Sequence, residues 1–339
     1  MKKVVILGER QVDLMEVPEP SPKDDWALVK VAITPMCTEY KMYAAGRPSE
    51  FLGHEAVGEV VQVAQPGRVK VGDRVVVMPL YPCGKCALCV AGDYIHCEHT
   101  YDYDAFTGGP EGKATYAQYL LKPGWLLPVI PDGVSYERAA LALCALGPSL
   151  GAFQSMALST FDTVLITGMG PVGLGGVANA RFRNARVIAV ESIPWRMERA
   201  TKLGAEAVLD PRDPGILAKI RQLTDGNGVD CALDCSGTVA AQRLCIDAAR
   251  RRGKVAFVGE CSDDLAIKVS PDMIRKGLTL IGSWHYNLND YGAIMKVIQQ
   301  SPLMDLLVSH VMPMDRVRDA FEIQMKGQAA KILLRPWDG

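Results

Sequence analysis

Ten cysteines occur in this chain of 339 residues, and four of them fall within fifteen positions. The four are Cys83, Cys86, Cys89 and Cys97. Their spacing, C-x2-C-x2-C-x7-C, is typical of a closed tetrahedral zinc site that leaves no coordination position for a substrate. An iron–sulfur centre is the main alternative, but seven residues rather than three precede the fourth cysteine, and no second cluster follows. We therefore predict a structural zinc ion here. His96 and His99 flank Cys97 as alternative ligands, although solvated loop histidines are the more common case.

A glycine motif, G-x-G-x-x-G, directly follows the apolar run Thr163–Thr167 and precedes a predicted helix. Such glycines permit a tight turn, the approach of a pyrophosphate to the backbone, and close packing of helix against strand. The phosphates then lie at the N-terminus of the helix. The residues predicted to form this site are Gly168, Gly170, Pro171, Val172 and Gly173. A glycine-rich turn without a ligand is the alternative.

An acidic residue follows the next predicted strand, Arg186–Val190, about twenty residues after the glycines. This residue, Glu191, is placed to accept hydrogen bonds from both ribose hydroxyls, and its charge repels a 2′-phosphate. The sequence therefore predicts NAD as the cofactor, with NADP disfavoured. Arg196, which we also predict to be a cofactor-binding residue, and Arg199 follow closely and weaken this preference.

Two kinds of pattern divide the chain. The first third has short β-branched runs bounded by Gly, Pro and Asp, which indicate strands and turns. A helix is predicted over residues 136–146. From residue 162, apolar strands alternate with helices, which predicts a parallel sheet with helices on both faces. We predict an irregular β domain over 1–148 and 290–339, interrupted by a doubly wound α/β domain over 149–289.

Composition excludes several classes of protein. Hydrophobic residues make up 49% and charged residues 22%, which is ordinary globular composition rather than that of a disordered chain. The formal net charge is −1, so there is no electrostatic reason to expect nucleic acid or an anionic membrane as a partner. The apolar run at the N-terminus is too short for a signal peptide, which predicts a cytoplasmic protein.

A second group of metal-binding residue types precedes the cysteine cluster: Cys37 follows an apolar strand, and His54 and Glu55 lie in G-H-E-x-x-G. Together with the other motifs, they make the chain resemble the zinc-dependent medium-chain dehydrogenase/reductase family, which includes alcohol, sorbitol and threonine dehydrogenases. The resemblance covers essentially the whole chain. Its motifs occur in the family order: Cys37, Gly53–Gly58, Val71–Val75 (V-G-D-R-V), the cysteine cluster, the glycine motif and Asp234–Gly237 (D-C-S-G).

The resemblance implies a Rossmann domain inserted into a GroES-like, irregular β-barrel catalytic domain. It also implies a catalytic zinc ion held by Cys37 and His54, with Glu55 as a direct or exchangeable ligand. Some members place a cysteine or glutamate about 25 residues before the glycine motif, and Cys144 takes that position here. A buried helix cysteine is the alternative interpretation of Cys144.

One departure from the family concerns the proton relay. Members commonly have C-G-S/T-D after the first ligand, whereas this chain has Cys37-Thr38-Glu39, as though one residue were missing. Either Thr38 or Glu39 then takes the relay role, or both are structural or solvated.

The remaining site predictions concern the nicotinamide and the substrate. Ser236, Val258 and Gly259 follow later strands, where the cofactor crevice of such sheets opens, and are expected to contact nicotinamide or its ribose through their backbone. Polar and aromatic residues at 283–286, with Tyr40 and Lys41, are expected to bind a hydroxylated substrate. Packing between domains or a subunit edge is the alternative for 283–286.

These features predict an NAD- and zinc-dependent dehydrogenase with two zinc ions per chain. It would oxidise a secondary alcohol of a polyol, sugar, cyclitol or amino alcohol to the ketone. An NADPH-dependent carbonyl or enone reductase and a non-enzymatic NAD- and zinc-binding protein are the alternatives. The strand Thr279–Gly282 can pair across a two-fold axis, which predicts a homodimer or homotetramer.

Overall fold

The structure, a computed structural model, describes residues 1–338. The strands are β1 (Lys2–Gly8), β2 (Gln11–Glu16), β3 (Trp26–Pro35), β4 (Ala56–Val63), β5 (Arg74–Val77), β6 (Tyr119–Pro123), β7 (Thr163–Thr167), β8 (Arg186–Val190), β9 (Ala207–Leu209), β10 (Val229–Asp234), β11 (Ala249–Phe257), β12 (Thr279–Gly282), β13 (Val308–Pro313) and β14 (Lys331–Arg335). The α-helices are α1 (Glu39–Ala44), α2 (Ala87–Val90), α3 (Tyr103–Thr107), α4 (Tyr136–Ala139), α5 (Gly147–Ser155), α6 (Pro171–Phe182), α7 (Pro194–Lys202), α8 (Ile216–Leu223), α9 (Val239–Ala248), α10 (Tyr291–Gln300) and α11 (Val317–Met325).

The chain forms two compact units. The first consists of Met1–Leu143, Asn287–Gln299 and the stretch from Val308 onwards, and the second consists of Cys144–Tyr286 and Gln300–Leu307. Among residues 1–338, no helix combines the length and the apolar character that crossing a membrane requires.

The second unit contains a six-stranded parallel sheet in the order β12-β11-β10-β7-β8-β9. All five residues of β7 are buried, as expected for a central strand covered by helices on both faces. Because β7, β8 and β10 lie side by side, the residues that follow their carboxyl ends meet at one edge of the sheet. The predicted doubly wound α/β fold is confirmed.

The first unit contains a mixed sheet in the order β13-β14-β3-β4-β5, with β6 paired to β3 and with β1 and β2 forming a separate hairpin. β13 and β14 are parallel, and the other pairs of this sheet are antiparallel. Strand β14, near the C-terminus, pairs with the end of β3 through Leu334 and Thr34. A side chain on β14 is therefore brought next to residues that follow β3.

The predicted helix over 136–146 is wrong in its second half. α4 ends at Ala139, a 3₁₀ turn covers Ala140–Ala142, and Leu143 has φ −86° and ψ −132°, outside the helical region. Except for Cys144, residues 139–146 are buried, so the sequence has no polar positions from which a helical period can be recognised. Cys144 thus lies in a non-helical segment. Strands β2 and β13 were not predicted.

Candidate active site

Four predicted ligands of the catalytic metal lie together. The sulfurs of Cys37 and Cys144, a ring nitrogen of His54 and a carboxylate oxygen of Glu55 are all within 4.8 Å of one another. Glu55 is buried and the other three are half-buried. Cys144 is bonded directly to Leu143, the last residue of the first unit's N-terminal stretch.

The glycines of G-H-E-x-x-G are required by the local packing. Gly53 has φ +85°, and a Cβ there would lie 2.2 Å from Thr115 Oγ1. At Gly58, a Cβ would lie 2.2 Å from the carbonyl oxygen of Lys30 on the paired strand β3. The first glycine lets the chain turn immediately before His54, and the second lets β4 pack closely against β3.

Glu39 contacts the Nδ1 side of the His54 ring and fixes the orientation of that ring. Its Oε1 lies 3.0 Å from Nδ1 of His54, while its Oε2 accepts hydrogen bonds from the backbone N–H of Cys37 at 2.9 Å and from the hydroxyl of Tyr116 at 3.1 Å. Burial raises the pKa of Glu39, but the hydrogen bond with His54 and its charge lower it, and the net shift is downward. A carboxylate that accepts from Nδ1 directs Nε2 towards a metal.

The surroundings of Glu39 and Thr38 bear on which of the two can relay the substrate proton. The oxygens of Glu39 are occupied by three donors, and the residue is buried. Thr38 is exposed, and its side chain makes no capping hydrogen bond to α1. The role of Glu39 in orienting His54 was not predicted. The available signal was an acidic residue two positions after Cys37.

A buried ion pair supports Glu55. Nζ of Lys331, on β14, lies 2.6 Å from Oε1 of Glu55, and the two side chains are 0% and 1% exposed. Burial raises the pKa of Glu55, the charge of Lys331 lowers it, and the result is about 7. His54 Nε2 lies 3.8 Å from the same oxygen. Lys331 is 276 residues away in sequence, and no motif marked it.

The four cysteines of the second cluster, Cys83, Cys86, Cys89 and Cys97, also have their sulfurs within 4.8 Å of one another. Three sulfur–sulfur distances are 3.5, 3.6 and 3.9 Å. Four sulfurs at about 2.3 Å from a tetrahedral zinc ion are about 3.8 Å apart, so the spacing fits a single ion. It leaves no room for a cluster of several irons. Cys97 Sγ also accepts hydrogen bonds from the backbone N–H groups of Cys83 and His99, both at 3.3 Å.

The glycine motif has the geometry expected of a phosphate-binding turn. Gly168 has φ +79°, and a Cβ at Gly173 would lie 1.9 Å from the carbonyl oxygen of Gly168. Nothing lies within 4 Å of a Cβ built at Gly170, so the backbone is open to a ligand at that point. Pro171 and Val172 begin α6, whose N-terminus faces this opening.

Glu191 follows β8 and is 7% exposed. Its Oε2 accepts from the backbone N–H of Met169 at 3.0 Å, and its Oε1 accepts from those of Ser192 at 2.6 Å and Ile193 at 3.0 Å. Nη1 of Arg196 lies 3.9 Å from Oε2. The carboxylate therefore joins the glycine turn to the start of α7.

A cleft of about 550 Å³ in the second unit brings Gly168, Glu191 and Ser236 together. Other residues that line it were not predicted from the sequence, including Pro211, Pro214, Thr238 and Arg243. The two prolines follow β9, at the same edge of the sheet, which was the available signal.

Val258 and Gly259 follow β11, and their backbone N–H groups donate to the carbonyl oxygen of Asp234 at 3.0 and 2.9 Å. A Cβ at Gly259 would lie 2.2 Å from the backbone nitrogen of Gly237. These two predicted cofactor residues are thus held against the turn that follows β10.

Two family models match this chain. Residues 23–132 match the alcohol dehydrogenase GroES-like domain, and residues 171–300 match the zinc-binding dehydrogenase domain. Sorbitol dehydrogenase of Bacillus subtilis is 31% identical over 99% of this chain and 97% of its own length. L-threonine 3-dehydrogenase of Pyrococcus horikoshii is 31% identical over 95% of this chain and 94% of its own length. Alcohol dehydrogenase TADH from Thermus sp. ATN1 is similar in structure, with a TM-score of 0.89, 27% identity and 99% coverage of both chains.

The chain therefore belongs to the zinc-dependent medium-chain alcohol dehydrogenase family, as the resemblance in its motifs implied. It is an enzyme of the alcohol and polyol dehydrogenase class, and the predicted combination of a Rossmann fold with a GroES-like domain is confirmed.

Proposed function

We propose that this enzyme is a zinc-dependent, NAD-linked dehydrogenase that oxidises a secondary alcohol to the ketone. The observation that carries the proposal is the meeting of Cys37, His54, Glu55 and Cys144 within 4.8 Å. The names of the relatives, sorbitol dehydrogenase and threonine 3-dehydrogenase, favour a polyol, sugar, cyclitol or amino alcohol as the substrate class.

Cys37, His54 and Cys144 would hold the metal, with Glu55 as an exchangeable fourth ligand. Thiolate, imidazole and carboxylate donors in this combination suit zinc. When bound, zinc would supply Lewis-acid chemistry that lowers the pKa of the substrate hydroxyl, and NAD would supply a hydride acceptor. Lys331 balances the charge of Glu55 on the side away from solvent.

Thr38 is our candidate for passing the substrate proton to solvent, because it adjoins Cys37, is exposed and carries a hydroxyl. We expect Thr38→Val to lower kcat by about 10²- to 10⁴-fold, the contribution typical of a positioned proton-transfer group. Thr38→Ser should retain most of the activity. Equal activity in both variants would remove Thr38 from the relay.

NAD is favoured over NADP by Glu191. Its carboxylate lies at the end of β8 and lines the cleft, where it would repel a 2′-phosphate. We expect NAD to bind more tightly than NADP in a titration calorimeter, and Glu191→Gln to reduce that preference. Glu198→Gln is the matched control, since Glu198 lies on α7 with its side chain exposed. Tighter binding of NADP by the unaltered protein would contradict the assignment.

A screen of polyols, sugars and amino alcohols, with NADH absorbance as the readout and zinc content measured on the same sample, tests the whole proposal. Two zinc ions per chain are expected, one in each cluster. Cys37→Ala should lose turnover and about one zinc per chain, whereas Cys261→Ala, outside both clusters, should lose neither. Turnover retained in Cys37→Ala would overturn the mechanism, and activity confined to NADPH with ketones would favour a reductase.

A homodimer or homotetramer is part of the proposal. It is supported by β12, which is an edge strand of the parallel sheet and has exposed residues at both ends, Thr279 and Gly282. Light scattering coupled to size-exclusion chromatography measures the mass directly, and a monomer would refute this part. Cytoplasmic location stays a prediction.

A further inference from the structure

A turn of the four-cysteine cluster is hydrogen-bonded to a segment from near the other end of the chain. The turn, Ala91–Asp93, lies between Cys89 and Cys97, and the segment is Asn287–Asn289. The amide nitrogen of Asn287 donates to the carbonyl oxygen of Ala91 at 2.9 Å and to Oδ1 of Asp93 at 2.8 Å. The backbone N–H of Leu288 donates to the carbonyl oxygen of Gly92 at 2.9 Å, and Nδ2 of Asn289 donates to that of Ala91 at 3.2 Å. We refer to residues 91–93 and 287–289 as the clasp.

The clasp depends on the absence of a side chain at Gly92 and on the amide group of Asn287. Gly92 has φ +88°, and a Cβ there would lie 2.1 Å from Oδ1 of Asn287 and 2.8 Å from Nδ2 of Asn289. Asn287 Oδ1 accepts from the backbone N–H of Asn289 at 2.9 Å. Asn287 therefore uses both amide hydrogens and its oxygen. Aspartate lacks the two donors, and glutamine is longer.

The segment that enters the clasp is constrained at its other end as well. The chain leaves β12 and passes through Ser283–Tyr286 immediately before Asn287. His285, within this stretch, is buried and has φ +72°, a strained backbone conformation for a non-glycine residue. A Cβ at Gly151 would lie 2.1 Å from the carbonyl oxygen of His285, and one at Gly147 would lie 2.9 Å from the ring of Tyr286. Helix α5 thus holds one end of the strained segment and the clasp holds the other.

We propose that the metal in the four-cysteine cluster controls the conformation of residues 283–289 through the clasp, with Asn287 as the positioning residue. The metal fixes Cys89 and Cys97, these fix the turn between them, and the turn holds Asn287–Asn289. This inference rests on the proposed zinc at that cluster. By linkage, the effect is reciprocal: a change at Asn287 must also change how tightly the cluster holds its metal.

The test measures both directions of this coupling on the full-length, zinc-loaded protein. Asn287→Ala loses the two hydrogen bonds donated to the turn and the one accepted from Asn289. Backbone amides of residues 283–289 should therefore exchange with deuterium at least about tenfold faster. The affinity of the four-cysteine cluster for zinc should weaken by a similar factor. Because affinity changes appear mostly in the dissociation rate, zinc release to a chromogenic chelator should accelerate, while release from the Cys37 site stays unchanged. A role confined to local packing of the segment would not alter zinc release.

Two variants make the result specific to the hydrogen bond between Asn287 and Asp93. Asn287→Asp places two carboxylates together and should accelerate both exchange and zinc release. Adding Asp93→Asn should restore a donor–acceptor pair with the opposite direction and recover much of the loss. Asn227→Ala, an exposed asparagine elsewhere, is the control.

Unchanged zinc release in Asn287→Ala, or unchanged exchange of residues 283–289 after the cluster has been stripped of metal, would overturn the coupling. Metal analysis of the same samples keeps the two proposals apart. If the cluster of the unaltered protein binds no zinc, the proposed function fails at that site, and the metal-dependent inference fails with it. If zinc is bound but neither rate responds to Asn287, only the inference fails.

Discussion

Replacing Lys331 by methionine removes the cation that lies 2.6 Å from Glu55, where neither side chain is more than 1% exposed. Removing one partner of such a buried pair typically costs about 3–5 kcal/mol, because the other charge remains buried. We therefore expect Lys331→Met to lower the free energy of unfolding by about 3–5 kcal/mol in urea denaturation at pH 8. Glu55→Gln in the same chain should restore much of this loss, since no unpaired carboxylate then remains at position 55.

The size of the loss should depend on pH. The pKa of Glu55 is raised from 4.5 to about 7 by burial, against the opposing charge of Lys331. A carboxyl whose pKa is higher in the folded state holds its proton there, so stability falls as pH rises from the unfolded pKa through the folded pKa. Without Lys331 the folded pKa rises further, and the loss should grow between about pH 6 and pH 9. Zinc bound beside Glu55 should reduce the loss, and chelation should increase it.

Lys122→Met is the matched control. Lys122 is also buried, but its side-chain nitrogen donates to the carbonyl oxygen of Leu80 and lies 3.9 Å from the centroid of the Tyr81 ring. Its ion-pair partners within residues 1–338 include no carboxylate. Burial lowers its pKa to about 7, so at pH 8 most of this side chain is already neutral. We expect this variant to lose only about 1–2 kcal/mol, from one hydrogen bond and the contact with the Tyr81 ring. If both variants lose the same free energy at pH 8, the ion pair does not account for the stability of this region.

Two further variants test the sites directly. Glu39→Gln keeps the size of the side chain but removes the charge that faces His54 Nδ1, and it should weaken zinc binding at that site by about 10- to 100-fold in chelator competition; unchanged affinity would contradict the positioning role of Glu39. Gly173→Ala places a Cβ 1.9 Å from a backbone oxygen, and it should abolish NAD binding or lower the free energy of unfolding by about 1–3 kcal/mol or more. Gly176→Ala is the control: its Cβ would meet only side-chain atoms at 3.4–3.6 Å, so it should change either quantity little. Equal effects of the two alanines, measured by calorimetry and thermal unfolding, would show that the close approach at Gly173 is unimportant.

Several features were predictable from the sequence because their geometry is local. The four cysteines lie within fifteen positions, so their spacing alone brings their sulfurs within reach of one ion. The strand bounds Thr163–Thr167 and Arg186–Val190 were predicted correctly, since continuous apolar runs bounded by turn residues mark buried parallel strands. Family motifs supplied Cys37, His54 and Glu55, which the structure brings together.

Tertiary structure decided the contacts that no local pattern records. Lys331 reaches Glu55 only because β14 pairs with the end of β3, and Asn287 reaches the cysteine cluster across 194 positions of sequence. Glu39 was visible as an acid near Cys37, but its role depends on how α1 turns its side chain towards His54. Sequence spacing determines which residues can share a turn, a strand or a metal. Strand pairing and the packing of distant segments determine which buried charges find a partner. A charge needs a partner because it has lost its water, and it loses that water only when the chain folds.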